Sequence, residues 1–256
     1  MRTVQRAPVT GVVLLVALLT LVQATVGLGV GGWTVGVLAA ATAAGLLAVA
    51  LHRAGTTRFG PANVVTLVRV TLGQAVAALV AASFVGVDHR GLLLGLTALA
   101  LALDAIDGHV ARRTGSVTPL GARFDMEADA FLILVLSVAA VPVVGWWVLA
   151  IGFARYALLL AERVWRWLRV PVPPRYWRKV VAAVQGVTLA VVVTGVLSTV
   201  EAVALLLVAL GLLAESFGRD VAWLARRQAV RTRGPVAPTP SVAVPAAVQL
   251  ARTSGG

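Results

Sequence analysis

Residues 91–142, GLLLGLTALALALDAIDGHVARRTGSVTPLGARFDMEADAFLILVLSVAAVP, join two long apolar runs through a short polar connection, with acidic residues near the facing ends of both. Each run is about 20 residues, the length that carries a helix across a bilayer core. Inside hydrocarbon the backbone must satisfy its own hydrogen bonds, and an α-helix does so within a single segment. Working outward, comparable runs recur near 9–28, 33–51, 62–84, 144–165, 179–199 and 202–222. Together with 91–111 and 121–142 they predict eight spans in an all-α integral membrane protein.

Composition excludes a soluble fold. Of 256 residues, 59% are hydrophobic and 12% charged, about half the usual charged share, and the mean hydropathy is +0.94. The net charge of +12 could suggest nucleic acid. No recognition motif accompanies it, and the basic residues cluster between apolar blocks, so no nucleic-acid partner is expected. Attraction to anionic membrane lipids explains the charge better. With no cysteine there is no disulfide framework, thiolate metal site or cysteine nucleophile.

Charge also sets orientation. One set of connections holds Arg2 and Arg6, Arg53 and Arg58, Arg112 and Arg113, the run from Arg163 to Lys179, and Arg219 to Arg233; the other holds only Asp88, Arg90 and Glu201. The positive-inside rule then puts both termini in the cytoplasm, and a bacterial plasma membrane is the expected location. Trp146 and Trp147 would anchor the outer interface, and Trp165, Trp167, Trp177 and Trp223 the inner one. Arg2 and Arg6 before the first apolar run also suit a signal peptide, although the cleavage site would be poor. The Pro-, Ala- and Ser-rich stretch 226–256 is expected to be a disordered basic tail.

The acidic residues are concentrated. Five of the ten, Asp104, Asp107, Asp125, Glu127 and Asp129, lie within 26 residues at span ends, where carboxylates are unfavourable without compensation. At 100° per residue, Asp104, Asp107, Gly108, Ala111 and Arg112 share an arc of about 140°. On the next span Asp125 and Asp129 are i,i+4 neighbours with Gly121 on nearly the same face, while Glu127 points away. Two carboxylates from each helix should therefore face one another near the cytoplasmic boundary. Such like charges call for cations, and an oxygen-only donor set suits two Mg²⁺ or Mn²⁺ ions working on a phosphoryl group. Small Gly108 and Ala111 leave room for a ligand, and Arg112 is placed to hold a phosphate. Interhelical Asp–Arg pairs that merely stabilise a bundle are the plainer alternative.

The stretch 104–129, DAIDGHVARRTGSVTPLGARFDMEAD, fits D-x2-D-G-x2-A-R-x8-G-x3-D-x3-D at every fixed position. It resembles the signature of the CDP-alcohol phosphatidyltransferase family. The resemblance implies a six-helix core over 58–225, preceded by two extra transmembrane helices in 1–57. It implies transfer of a phosphatidyl group from CDP-diacylglycerol to an alcohol, with release of CMP. Asp104, Asp107 and Asp125 would hold one metal and Asp104, Asp125 and Asp129 the other. Asp129 would also take the proton of the attacking hydroxyl. Gly108, Arg112 and Thr118 would contact the nucleotide-phosphate portion, beside Ala111 and Gly121. PANVVTLVR (61–69) resembles the family's P-[ND]-x-x-T segment and implicates Asn63 and Thr66 in holding the CDP part. Arg69, about one and a half turns further in, could aid substrate binding or simply snorkel. Ala154-Arg155 resembles a pair found in members that use phosphorylated alcohols, though Tyr156 stands where an acidic residue often follows. With Arg175, Arg178 and Lys179, Arg155 could form a pocket for an acceptor such as glycerol 3-phosphate or inositol phosphate. A homodimer is also implied. Intramembrane acids would equally suit a metal-ion or anion transporter, and a catalytically silent scaffold is a third reading.

Overall fold

Among the described residues, eight long helices form where the apolar blocks predict them. The computed structural model describes residues 7–54, 60–86, 89–114, 118–170 and 176–232, with side chains described there except at 61, 105, 107–114, 166, 169, 176 and 230–232. The helices are α1 (Ala7–Val26), α2 (Gly29–Ala54), α3 (Pro61–Ser83), α4 (Arg90–Thr114), α5 (Pro119–Val144), α6 (Leu149–Val164), α7 (Tyr176–Thr194) and α8 (Thr199–Thr232). No strand occurs among the described residues. Over the described residues, six helices are long and apolar enough to cross a membrane. α6, with 16 residues, is the shortest of the eight.

The helix boundaries follow local chemistry. Pro61 and Pro119 open α3 and α5, a first-turn position where proline's missing N–H costs nothing. α5 ends at Gly145, whose φ of 91° a side-chain-bearing residue would resist, and a 3₁₀ turn (Trp146–Val148) leads into α6. The expected span 144–165 is thus shortened at its start. α8 continues to Thr232, so residues 226–232 belong to this helix rather than to the expected tail; residues 233–256 lie outside the described residues. Gln23 closes the α1–α2 turn, its side-chain oxygen accepting from the Leu28 amide at 2.9 Å and the Trp33 indole at 3.1 Å.

α3 is the hub. It packs against α1, α2, α4 and α5, and every residue from 71 to 80 is buried. Burial on all sides in a membrane protein relies on close van der Waals fit, because lipid supplies no hydrophobic force between helices. Small residues provide that fit. Ala75, Ala78 and Ala82 are fully buried, and a Cβ on Gly32 of α2 would stand 2.9 Å from the Ala78 carbonyl oxygen. Leu15, Leu19 and Leu28 of the α1–α2 hairpin are fully buried in the same core as Leu79, Leu136, Leu189 and Leu206. On the outer surfaces Val13, Leu21, Leu38, Leu46, Leu207 and Val208 are exposed, as residues facing acyl chains would be.

Candidate active site

α4 and α5, which carry the acidic motif, both pack on α3 and on α7. The sequence suggests two helices face to face. The structure brings carboxylates of the two helices together and packs both helices on α3 as well. The cluster therefore draws on three helices. By helix rise, Arg69, Asp104 and Asp125 lie about 9–15 Å inside the α3, α4 and α5 ends nearest them, all at the same end of the bundle.

Asp104, Asp125 and Asp129 converge there, each offering a carboxylate oxygen within 4.8 Å of the others. The Arg69 guanidinium reaches all three. Its Nη1 lies 2.9 Å from Asp104 Oδ1 and also donates to Asp125 Oδ1, while Nη2 donates to Asp129 Oδ1. The Arg69 side chain is 3% exposed, whereas the three carboxylates retain 31–41%. The arginine thus covers the inner side of the cluster and leaves its outer side accessible. Snorkelling does not describe Arg69, whose charge is spent inside the bundle. The sequence signal for this role was charge balance: one Arg in an otherwise uncharged span, beside two spans rich in aspartate.

Hard carboxylate oxygens in a group this tight fit a divalent cation such as Mg²⁺ or Mn²⁺. Asp104, Asp125 and Asp129 could hold one. The expected positions Asp107, Gly108, Ala111 and Arg112 lie on α4, but their side chains fall outside the described residues. Glu127 takes the opposite face of α5, as its spacing predicts, and accepts from Arg155 Nη2 at 2.8 Å.

The predicted nucleotide contacts gather where the starts of α3 and α5 meet. Asn63 and Thr66 are buried. Thr66 bonds back to the Ala62 carbonyl at 3.1 Å, one turn earlier. Gly121 is where the two helices touch: a Cβ there would sit 2.6 Å from Asn63 Oδ1. Thr118 is the N-cap of α5, its hydroxyl accepting from the Gly121 amide at 3.0 Å.

The predicted acceptor residues are not gathered in this way. Arg155 on α6 is directed at α5 through Glu127. Arg178 on α7 is directed at α8, its Nε 2.7 Å from the largely buried Asp220 carboxylate. Lys179 is exposed, and Arg175 lies outside the described residues. Trp177 donates to Glu215 at 2.9 Å, which with the Arg178–Asp220 pair ties α7 to α8 at this end, and Arg219 pairs with the same Glu215 carboxylate within α8.

Nothing among curated proteins or solved structures matches the chain. A family model does. The CDP-alcohol phosphatidyltransferase model matches residues 59–215, more than half the chain, from just before α3 into α8, and takes in every residue of the carboxylate cluster. The chain belongs to the CDP-alcohol phosphatidyltransferase family.

Proposed function

We propose that this protein transfers the phosphatidyl group of CDP-diacylglycerol to a phosphorylated alcohol, releasing CMP, at a site open to the cytoplasm. The convergence of Asp104, Asp125 and Asp129 carries the reading. It gathers three oxygen donors from two helices that suit Mg²⁺ or Mn²⁺, and Asp107 would be the fourth ligand of a two-ion site. Ions held there would neutralise the diphosphate and the departing CMP. In the reaction the acceptor oxygen forms a bond to the β-phosphorus while the bond from that phosphorus to the CMP oxygen breaks. Asp129 takes the proton that the acceptor hydroxyl loses.

The other residues bind and orient. Asn63, Thr66 and Gly121, with Gly108, Ala111, Arg112 and Thr118, would seat the nucleotide and diphosphate against the meeting point of α3 and α5. Diacylglycerol tails arrive from the bilayer and the acceptor from the aqueous side, and a cluster about 9–15 Å inside one end of the helices serves both approaches. Arg155 Nε is buried without a hydrogen-bond partner among the described residues. This favours an anionic acceptor such as glycerol 3-phosphate or inositol phosphate over a neutral one; Arg175, Arg178 and Lys179 would have to turn toward Arg155 to share in holding it. A homodimer belongs to the same proposal. Gly91 and Gly95 on α4 face open space, leaving room for close contact with a second helix.

The test is CMP release by purified protein given CDP-diacylglycerol and Mg²⁺ or Mn²⁺, across glycerol 3-phosphate, inositol phosphate, inositol, serine and phosphatidylglycerol. Release with a phosphorylated alcohol alone is expected. Release with inositol or serine alone would overturn the acceptor class. Flux across sealed vesicles without nucleotide turnover would overturn the transferase.

A further inference from the structure

The acidic motif at 104–129 does not include Arg69, yet its contacts fall on the same three carboxylates that the proposed metal site uses. One guanidinium supplies a single positive charge among three aspartates, fewer positive charges than carboxylates. A divalent ion neutralises the carboxylates better and bonds the same oxygens directly. Both cations cannot share the site comfortably. Centres within about 5 Å repel strongly where the surroundings are protein and lipid rather than water, and each carboxylate oxygen given to Arg69 is one less for the metal.

We infer that Arg69 is a built-in competitor of the divalent cation. It gathers Asp104, Asp125 and Asp129 before metal arrives and is displaced from at least one of them when metal binds. Burial makes the competition effective. The arginine side chain is almost wholly enclosed, so it does not exchange freely with water, while the open outer side of the cluster gives the metal its approach. The apparent affinity for a metal falls by the fraction of time the site is competent. A cluster capped by Arg69 nine-tenths of the time would bind about tenfold more weakly than one without it.

This inference rests on the metal-site reading above, and one titration separates their failures. Mn²⁺ binding to the full-length protein in lipid nanodiscs would be followed by the electron paramagnetic resonance signal of free Mn²⁺, for the natural protein, Arg69→Gln and Asp125→Asn. Arg69→Gln is expected to bind about tenfold more tightly, and Asp125→Asn more weakly. Thermal unfolding gives a second readout: without metal Arg69→Gln should unfold at lower temperature than the natural protein, and Mn²⁺ should raise its midpoint by more. If Arg69→Gln does not fold, Arg69→Lys replaces it. A single ammonium cannot bridge three carboxylates, so this variant should also bind Mn²⁺ more tightly than the natural protein. Equal or weaker Mn²⁺ binding in the arginine variants, with normal binding in the natural protein, would overturn the inference alone. No saturable binding in any of them would overturn the metal site and the inference with it.

Discussion

Asp125 and Glu127 stand two residues apart on α5 and meet different partners, which makes them an internal control. Asp125 faces Asp104 and Asp129 in the cluster, and Glu127 faces Arg155 on α6. Asp129→Asn should lower CMP release by about 10²–10⁴-fold, the range for a lost general base. Asp104→Asn should cost at least about 100-fold, more than is lost with a metal's outer-shell partner. Glu127→Gln should keep most of the turnover. Its cost falls on stability, about 1 kcal/mol or less, because the Glu127 side chain is 42% exposed and water screens the pair. Turnover and unfolding measured on all three variants decide the matter: equal loss of activity from Glu127→Gln and Asp104→Asn would contradict the division between faces.

At the scale of helices, the start of α5 combines a proline, a threonine cap and a glycine placed against α3. The cap and the close approach can be tested apart. Thr118→Ala should lower stability by about 1 kcal/mol, the usual worth of an N-cap hydroxyl. Gly121→Ala should act on the site instead. The new methyl would press on Asn63 Oδ1, and displacing a positioning group by a fraction of an ångström can cost roughly 10–100-fold in kcat/KM. Gly211→Ala, which meets nothing within 4 Å, is the control expected to change neither. Gly152 has a different role, since a Cβ there would stand 2.9 Å from Leu134 Cα in the backbone of α5. Gly152→Ala should therefore destabilise the α5–α6 contact by about 1–3 kcal/mol, read as a lower unfolding midpoint in detergent.

Across the whole molecule, α1 and α2 lie before the family match yet are continuous with its core. They bury Leu15, Leu19, Val22 and Leu28, and Gln74 of α3 donates to the Ala39 carbonyl of α2 at 3.1 Å. Deleting residues 1–57 would expose an outer face of α3 and leave the buried Gln74 amide without this acceptor. The truncated protein should therefore lose its single symmetric peak in size-exclusion chromatography, even though every motif residue remains. A monodisperse and active truncation would show that the hairpin is a separable addition.

The sequence by itself determined the helices, their order and the chemistry of the aspartates. Bilayer length, helical period and residue spacing are local properties, and local patterns carry them faithfully. It separated Glu127 from Asp125 for the same reason. What only the tertiary structure decided is which helix packs on which. α3 packs on both α4 and α5, so the carboxylates that face each other also close around Arg69. The same packing turned the arginines expected at the acceptor toward neighbouring helices, Arg155 to Glu127 and Arg178 to Asp220. A buried guanidinium takes the carboxylate that close packing brings within reach, and the residues that will be neighbours across a bundle are fixed by the fit of helix surfaces, which one-dimensional spacing does not encode.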